Sequence, residues 1–231
     1  MRLGLAFSAF ALFLTFAVPT AVAESLSQEQ IRRYLVRGVG RDAPDNEIKI
    51  ERWKGEVRIF LSPFSSALNP SPSIADYLSE LSKYTGLTIR VVFREDEANL
   101  LINELPNESD REIALDWYLR GQERADEIKP AMQKNLPVMF KMNCFYMTVY
   151  DDNHIARALV QSSPNEGRKN DACTRKMLFQ SMGVYGDPVG TPSILSIGKT
   201  DLTEADKSIL EIVYDKGLPR GATLDALLSK Y

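Results

Sequence analysis

The chain has 231 residues, with 28 basic and 31 acidic side chains and a formal net charge of -3. No basic excess is available to displace phosphate counterions, so general nucleic-acid binding is excluded. The length suits one large domain or two small ones, with enough chain to bury most of its apolar surface.

Arg2 opens the chain as a short positive region. Leu3 to Val18 carries no charge and is rich in Leu, Phe and Ala; Pro19 breaks it, and Ala21-Val22-Ala23 supplies the small-x-small pattern of a signal peptidase site. The sequence thus predicts a signal peptide over residues 1–23, cut between Ala23 and Glu24, and export to the periplasm or beyond. No later apolar run is long enough to span a bilayer, so no transmembrane segment is expected after cleavage. The mature chain then loses Arg2 and has 27 basic against 31 acidic residues, a net charge of -4. In an oxidising compartment Cys144 and Cys173 are expected to form a disulfide.

Ser27 and Gln30 form a capping box ahead of Ile31, Tyr34 and Leu35, and Gly38 closes that helix, expected to pack outside the main sheet. Residues 24–50 read as an N-terminal helix and linker, and 51–231 as a single domain. Ile48 to Trp53 and Val57 to Leu61 read as strands with Lys54-Gly55 turning between them. A helix with Ile74, Tyr77, Leu78, Leu81 and Tyr84 on one face stops at Gly86, and Leu87 to Phe93 and Ala98 to Ile102 read as further strands. This β-β-α-β-β order predicts a sheet with a helix across one face.

Ser109 and Glu112 suggest a second capping box, opening a charged helix through about Ile128 that Pro130 ends. Residues 103–137 read as a helical insertion. Val138 to Tyr150, the turn Asp151-Asp152-Asn153 and Ile155 to Gln161 form a predicted hairpin. A core helix follows from Ala172 to Met182, ended by Gly183, then a short strand over Ile194 to Ile197. Thr203 with Asp206 caps a helix carrying Ile209, Leu210, Ile212 and Val213; Thr223 starts a last short one.

The run from Cys173 to Gly221 is the most informative. It places a Cys, a helix ending at Gly183, Asp187 beyond that glycine, and a Leu-Thr-Glu-Ala-Asp helix ending in Val-Tyr-Asp. With the Thr-Gly-Leu-Thr-Ile and Ala-Asn-Leu-Leu-Ile segments and Cys144, this resembles the bacterial secreted domain-of-unknown-function family 2927 over roughly Trp53 to Gly221. The resemblance implies an α+β, zincin-like fold: a mixed sheet with helices packed on one face and a C-terminal helical part.

A zincin helix carries H-E-x-x-H, in which two imidazoles bind zinc and the Glu acts as general base. Aligned on Gly183, the two His positions fall at Lys176 and Gln180 and the Glu position at Met177. An ammonium has no free lone pair, a thioether takes no proton, and a neutral amide is a poor zinc ligand. Asp187 and the single His154 do not complete a catalytic set, so no metal, cofactor or catalytic residue is expected.

Other patterns are weaker. His154 reads as a surface residue beside a turn, and no G-x-S-x-G elbow is present. Asp151-Asp152-Asn153 lacks the glycine and distal Glu of a calcium loop. Glu95, Asp96 and Glu97 read as a solvated run rather than a glycosidase pair. Arg168, Lys169, Arg175 and Lys176 form a small basic cluster. The sequence points to a non-catalytic exported protein that binds a peptide or an envelope protein, with no nucleic-acid partner; the competing reading is an envelope hydrolase acting without zinc.

Overall fold

The computed structural model describes residues 26–39, 48–61, 72–103, 108–139, 144–152, 154–162, 171–186, 190–196, 198–219 and 221–230. Ala23, Glu24, Arg168, Lys169 and Asp187 lie outside the described residues.

Local sequence chemistry sets the helices. Helix α1 (Gln28–Gly38) starts on the expected capping box: the Gln30 amide donates to Ser27 Oγ at 3.2 Å, and the Ser27 amide to Gln30 Oε1 at 2.8 Å. Tyr34 and Leu35 of α1 are fully buried in the main core. Helix α2 (Pro72–Thr85) buries Ile74, Tyr77, Leu78 and Leu81, an i, i+3, i+4, i+7 stripe. Gly86 ends it at φ +66°, a left-handed conformation that costs glycine little.

The strands form one mixed sheet. After β1 (Arg52–Trp53) and β2 (Val57–Leu61) come β3 (Ile89–Val92) and β4 (Leu100–Asn103), then β5 (Cys144–Asp151) and β6 (His154–Ser162). The order is β1-β6-β4-β2-β3, with every neighbouring pair on that path parallel; β5 adds to β6 as an antiparallel hairpin. The β-β-α-β-β order along the chain holds, but Lys54-Gly55 does not close a hairpin. β1 pairs with β6, at Arg52↔His154 and Trp53↔Ile155, and β2 pairs with β3 and β4. Adjacency in sequence suggests antiparallel pairing, but the long-range parallel pairs win because they bury β2 and β4 between two helical layers.

All four residues of β4 are buried. Leu100 and Ile102 join the larger core and Leu101 the smaller, so each face of the sheet has its own apolar layer. The larger core holds α1, α2, α5 (Asp171–Ser181), α6 (Glu204–Val213) and α7 (Leu224–Leu228). The second face is covered too, by α3 (Glu108–Leu119) and α4 (Ala125–Met139), through Leu115, Trp117 and Leu119 packed on Phe145, Met147 and Leu159. The segment expected as an insertion therefore makes the second helical layer.

Several boundaries differ from expectation: the helix expected from a Ser109 cap through about Ile128 is two, α3, already helical at Glu108 and ending at Leu119, and α4. α4 continues through Pro130 to Met139, where the sequence suggests a stop and then a strand. Pro130 lies in the helix's second turn, where its missing N–H forfeits one backbone hydrogen bond. Ile194 and Leu195 lie in a turn rather than a strand.

That turn is held by a buried carboxylate. Asp206 closes the expected capping box with Thr203 and is 0 % exposed. Its Oδ2 accepts from the amides of Ile194 at 2.7 Å and Thr203 at 2.8 Å. Its Oδ1 accepts from Ser193 Oγ at 2.7 Å and from the Tyr34 hydroxyl. A buried carboxylate is tolerated only when such donors replace its water.

Asp206→Ala strands two amides and two hydroxyls and is expected to cost about 3–4 kcal/mol in chemical denaturation. Asp206→Asn is expected to cost clearly less: its carbonyl can face the two amides, and the two hydroxyls can turn to accept from its NH₂. Equal losses for the two variants would contradict this account of the network.

Candidate functional site

Helix α5 carries Lys176, Met177 and Gln180, the residues the sequence aligns with a zinc-binding motif, and the two polar ones are engaged with backbone carbonyls. Lys176 Nζ donates to the Ser196 carbonyl at 3.0 Å. Gln180 Nε2 donates to the Tyr185 carbonyl at 2.7 Å. Met177 is half-buried against the main core. Lys176 thus reaches the turn before α6, and Gln180 the loop that follows its own helix; the two do not converge on a shared centre. Among the described residues no three His, Cys, Asp or Glu side chains stand together as metal ligands.

Both ends of α5 are tied down. Cys173, in its first turn, pairs with Cys144 at the start of β5; the two Cα atoms are 6.2 Å apart, within the disulfide range. At the other end Gly183 has φ +92°, and a Cβ there would sit 2.1 Å from the Glu51 carbonyl oxygen. The chain then meets α1: the Gly38 carbonyl accepts from the amides of Tyr185 at 2.5 Å and Gly186 at 3.2 Å. The Tyr185 hydroxyl donates to Glu51 Oε2 at 3.0 Å and lies 3.0 Å from the Tyr150 hydroxyl. Its ring is parallel to that of Tyr146, 6.2 Å away. Burial first, then the neighbouring Tyr150, pushes the Tyr185 hydroxyl far above its ordinary value, so it stays a neutral donor.

Cavities open on the described surface, two of them lined by residues from distant segments. The larger, about 640 Å³, lies between the α3–α4 connection and the β5–β6 hairpin. Its arginines are engaged: Arg120 with Glu95 at 2.9 Å, Arg124 with Glu127 at 2.6 Å, and Arg157 with the Trp117 carbonyl at 2.9 Å.

The smaller cavity, about 370 Å³, is where four separate segments meet. Arg52, Trp53 and Lys54 come from β1 and its end, Thr85, Gly86 and Leu87 from the α2–β3 turn, His154 from the start of β6, and Tyr214 and Lys216 from beyond α6. Its walls are fixed. Arg52 donates to the carbonyls of Val213 at 2.8 Å, Asp215 at 3.1 Å and Leu218 at 2.8 Å, clamping the loop after α6 onto β1. The Trp53 indole donates to the Ser181 carbonyl at 2.9 Å, and the Tyr214 hydroxyl to that of Met182 at 2.9 Å. Burial raises the Tyr214 hydroxyl well above its ordinary value and keeps it protonated.

His154 is not the surface residue its neighbours in sequence suggest. It is 8 % exposed, and neither buried ring nitrogen has a hydrogen-bond partner. Parallel pairing with Arg52 and antiparallel pairing with Asp151 bring it under cover. The hairpin turn was legible from residues 151–153, but the cover comes from β1, a hundred residues earlier, and no local signal reports it.

The fold and this geometry define an α/β protein with helices on both faces of a mixed sheet. Residues 28–229 match the family described as "Protein of unknown function (DUF2927)", and the chain belongs to that family. No curated protein and no solved structure matches it.

Gly183→Ala adds left-handed strain to a clash with the Glu51 carbonyl just ahead of β1, and is expected to cost about 3–5 kcal/mol of stability. Gly190→Ala, also at positive φ (+82°) but with open space around it, is expected to cost about 1–2 kcal/mol. Thermal and denaturant unfolding of the pair measures the clash separately from the strain.

Proposed function

We propose that this chain is an exported protein of the bacterial envelope or its surroundings, zincin-like in its second half, that binds a ligand or partner without catalysing a reaction on it. The reading is carried by the chemistry of α5. An ammonium, a thioether and an amide occupy the positions of two imidazoles and a carboxylate, and both the ammonium and the amide are engaged with backbone carbonyls. Lys has no lone pair to give a metal while it is charged. Detaching Gln180 for a metal leaves the Tyr185 carbonyl without its donor and loosens the loop that fixes α5 against α1. The chain's single histidine lies in β6, on a different element.

Export rests on the N-terminal pattern of Arg2, an uncharged apolar run and Ala21-Val22-Ala23. The paired cysteines suit the oxidising compartment that export reaches.

Protein purified in the presence of Zn²⁺ and then dialysed is expected to hold well below one equivalent of zinc by elemental analysis, and to turn over neither generic peptide nor peptidoglycan substrates. Stoichiometric zinc with chelator-sensitive hydrolysis would overturn the reading. Expression of the whole chain in a bacterial host is expected to deliver protein outside the cytoplasm with Glu24 as its first residue by N-terminal sequencing. An uncleaved chain beginning at Met1 would refute the export assignment.

A further inference from the structure

We propose that the 370 Å³ cavity between β1, β6 and the loop after α6 is a binding site for a small organic anion, a carboxylate or phosphate on a compact apolar body. This names a ligand class for the binding role proposed above and rests on that reading.

Among the described residues that line the cavity three are permanent cations, Arg52, Lys54 and Lys216, and none is a carboxylate. Arg52 is locked by its three carbonyl contacts, so its charge is fixed in the wall rather than free to swing into solvent. Lys54 and Lys216 are exposed, and neither forms an ion pair among the described residues. Asp215, the acid next to Lys216, pairs with Lys230 and accepts from the Gly217 amide at 2.7 Å; these two first, and then Arg52, hold its carboxyl below its ordinary value. Lys54 and Lys216 therefore act on the cavity without an ion-pair partner among the described residues, while the Arg52 charge is partly met by Asp215. The remaining walls are largely apolar, from Trp53, Leu87 and Tyr214, whose polar atoms are already bonded elsewhere in the cases of Trp53 and Tyr214. The volume is in the range of small-molecule sites, about 300–1,000 Å³.

His154 supplies the independent observation. A nine-tenths buried imidazole with two unpartnered nitrogens loses its water contacts and gains nothing in return. A half-turn of the ring exchanges its nitrogen and carbon positions. The imidazole lines the cavity, and the site requires that rotation of the ring bring one N–H to an anion held by the lysines. Charge-assisted bonds of this kind are the strong ones. A cation would face three like charges, and a neutral apolar molecule would leave His154 unsatisfied.

The single histidine makes the test direct. The ¹⁵N signals of the His154 ring are followed by NMR while the folded, disulfide-bonded chain is titrated with benzoate, phenyl phosphate, inorganic phosphate and benzylamine. Benzoate or phenyl phosphate is expected to move the ring signals with a Kd below about 1 mM. Inorganic phosphate is expected to bind more weakly, and benzylamine not at all. The exposed pair Lys54→Met/Lys216→Met is expected to fold normally and to bind about tenfold more weakly. Ring signals that stay still up to about 10 mM of every anion would overturn the site. So would an undiminished affinity in the double variant, or an equal response to benzylamine. Anion binding by a chain that also holds zinc and hydrolyses peptide would keep this site and remove the non-catalytic reading. A chain with neither zinc nor anion binding would do the reverse.

Discussion

The architecture turns on one buried charge. Asp206 lies at the start of α6 with no exposed surface, and its carboxylate gathers donors from α1, the turn at Ser193–Ile194 and its own helix cap. Tyr34 reaches it across 172 residues of sequence. A carboxylate in this setting costs several kcal/mol unless every lone pair is met, so the positions of three segments are fixed together or not at all. α6 in turn sets the loop from Val213 to Leu218, whose carbonyls Arg52 grips from β1. The same helix rests on α2, with Lys207 3.5 Å from Glu80 and over the ring of Tyr84. One charged side chain thus connects the N-terminal helix to the sheet edge where the cationic cavity opens.

What was legible in the sequence was local. The capping boxes at Ser27 and Thr203, the apolar face of α2, the stop at Gly86 and the hairpin of β5 and β6 all follow from residues three or four apart, or across one turn. The Cys144–Cys173 pair followed from the compartment that the N-terminal pattern implies. What was not legible was long-range. Lys54-Gly55 has turn chemistry whether β1 pairs with β2 or with β6, and only the tertiary contacts decide. Pro130 reads as a stop in isolation, yet α4 runs on through it. Asp206 has the pattern of a surface cap, and its burial depends on Tyr34 and Ser193, which carry no mark of it. The cavity draws on four segments with one or a few residues each, so no motif window contains it.

The polar side chains of α5 serve as braces. On a metal-binding helix, side chains one turn apart point at a common ion and need lone pairs. Here Lys176 and Gln180, also one turn apart, are donors that reach in different directions and brace the loops at Ser196 and Tyr185. Donor bonds to backbone carbonyls satisfy acceptors that irregular loops leave open. Together with the Cys144–Cys173 link and the close approach of Gly183 to Glu51, they make α5 a strut between the sheet and α1. The 183–186 segment is held by the Gly38 carbonyl, Gln180 and the tyrosine cluster.

The cationic cavity stands against the charge of the molecule as a whole. The chain carries more acid than base, so an anion approaching from a distance meets no favourable field. Beyond roughly 10 Å that field is screened at ordinary ionic strength, and what remains is the local set of Arg52, Lys54 and Lys216. Recognition in such a place is a short-range affair. It depends on walls that do not move, because a flexible cation regains its water when the ligand leaves, whereas a fixed one keeps its orientation. Arg52 is fixed by the loop after α6, that loop by α6, and α6 by Asp206. The buried acid and the basic cavity are therefore parts of one arrangement, in which a negative charge sealed in the core keeps Arg52 in place, with the exposed Lys54 and Lys216 beside it.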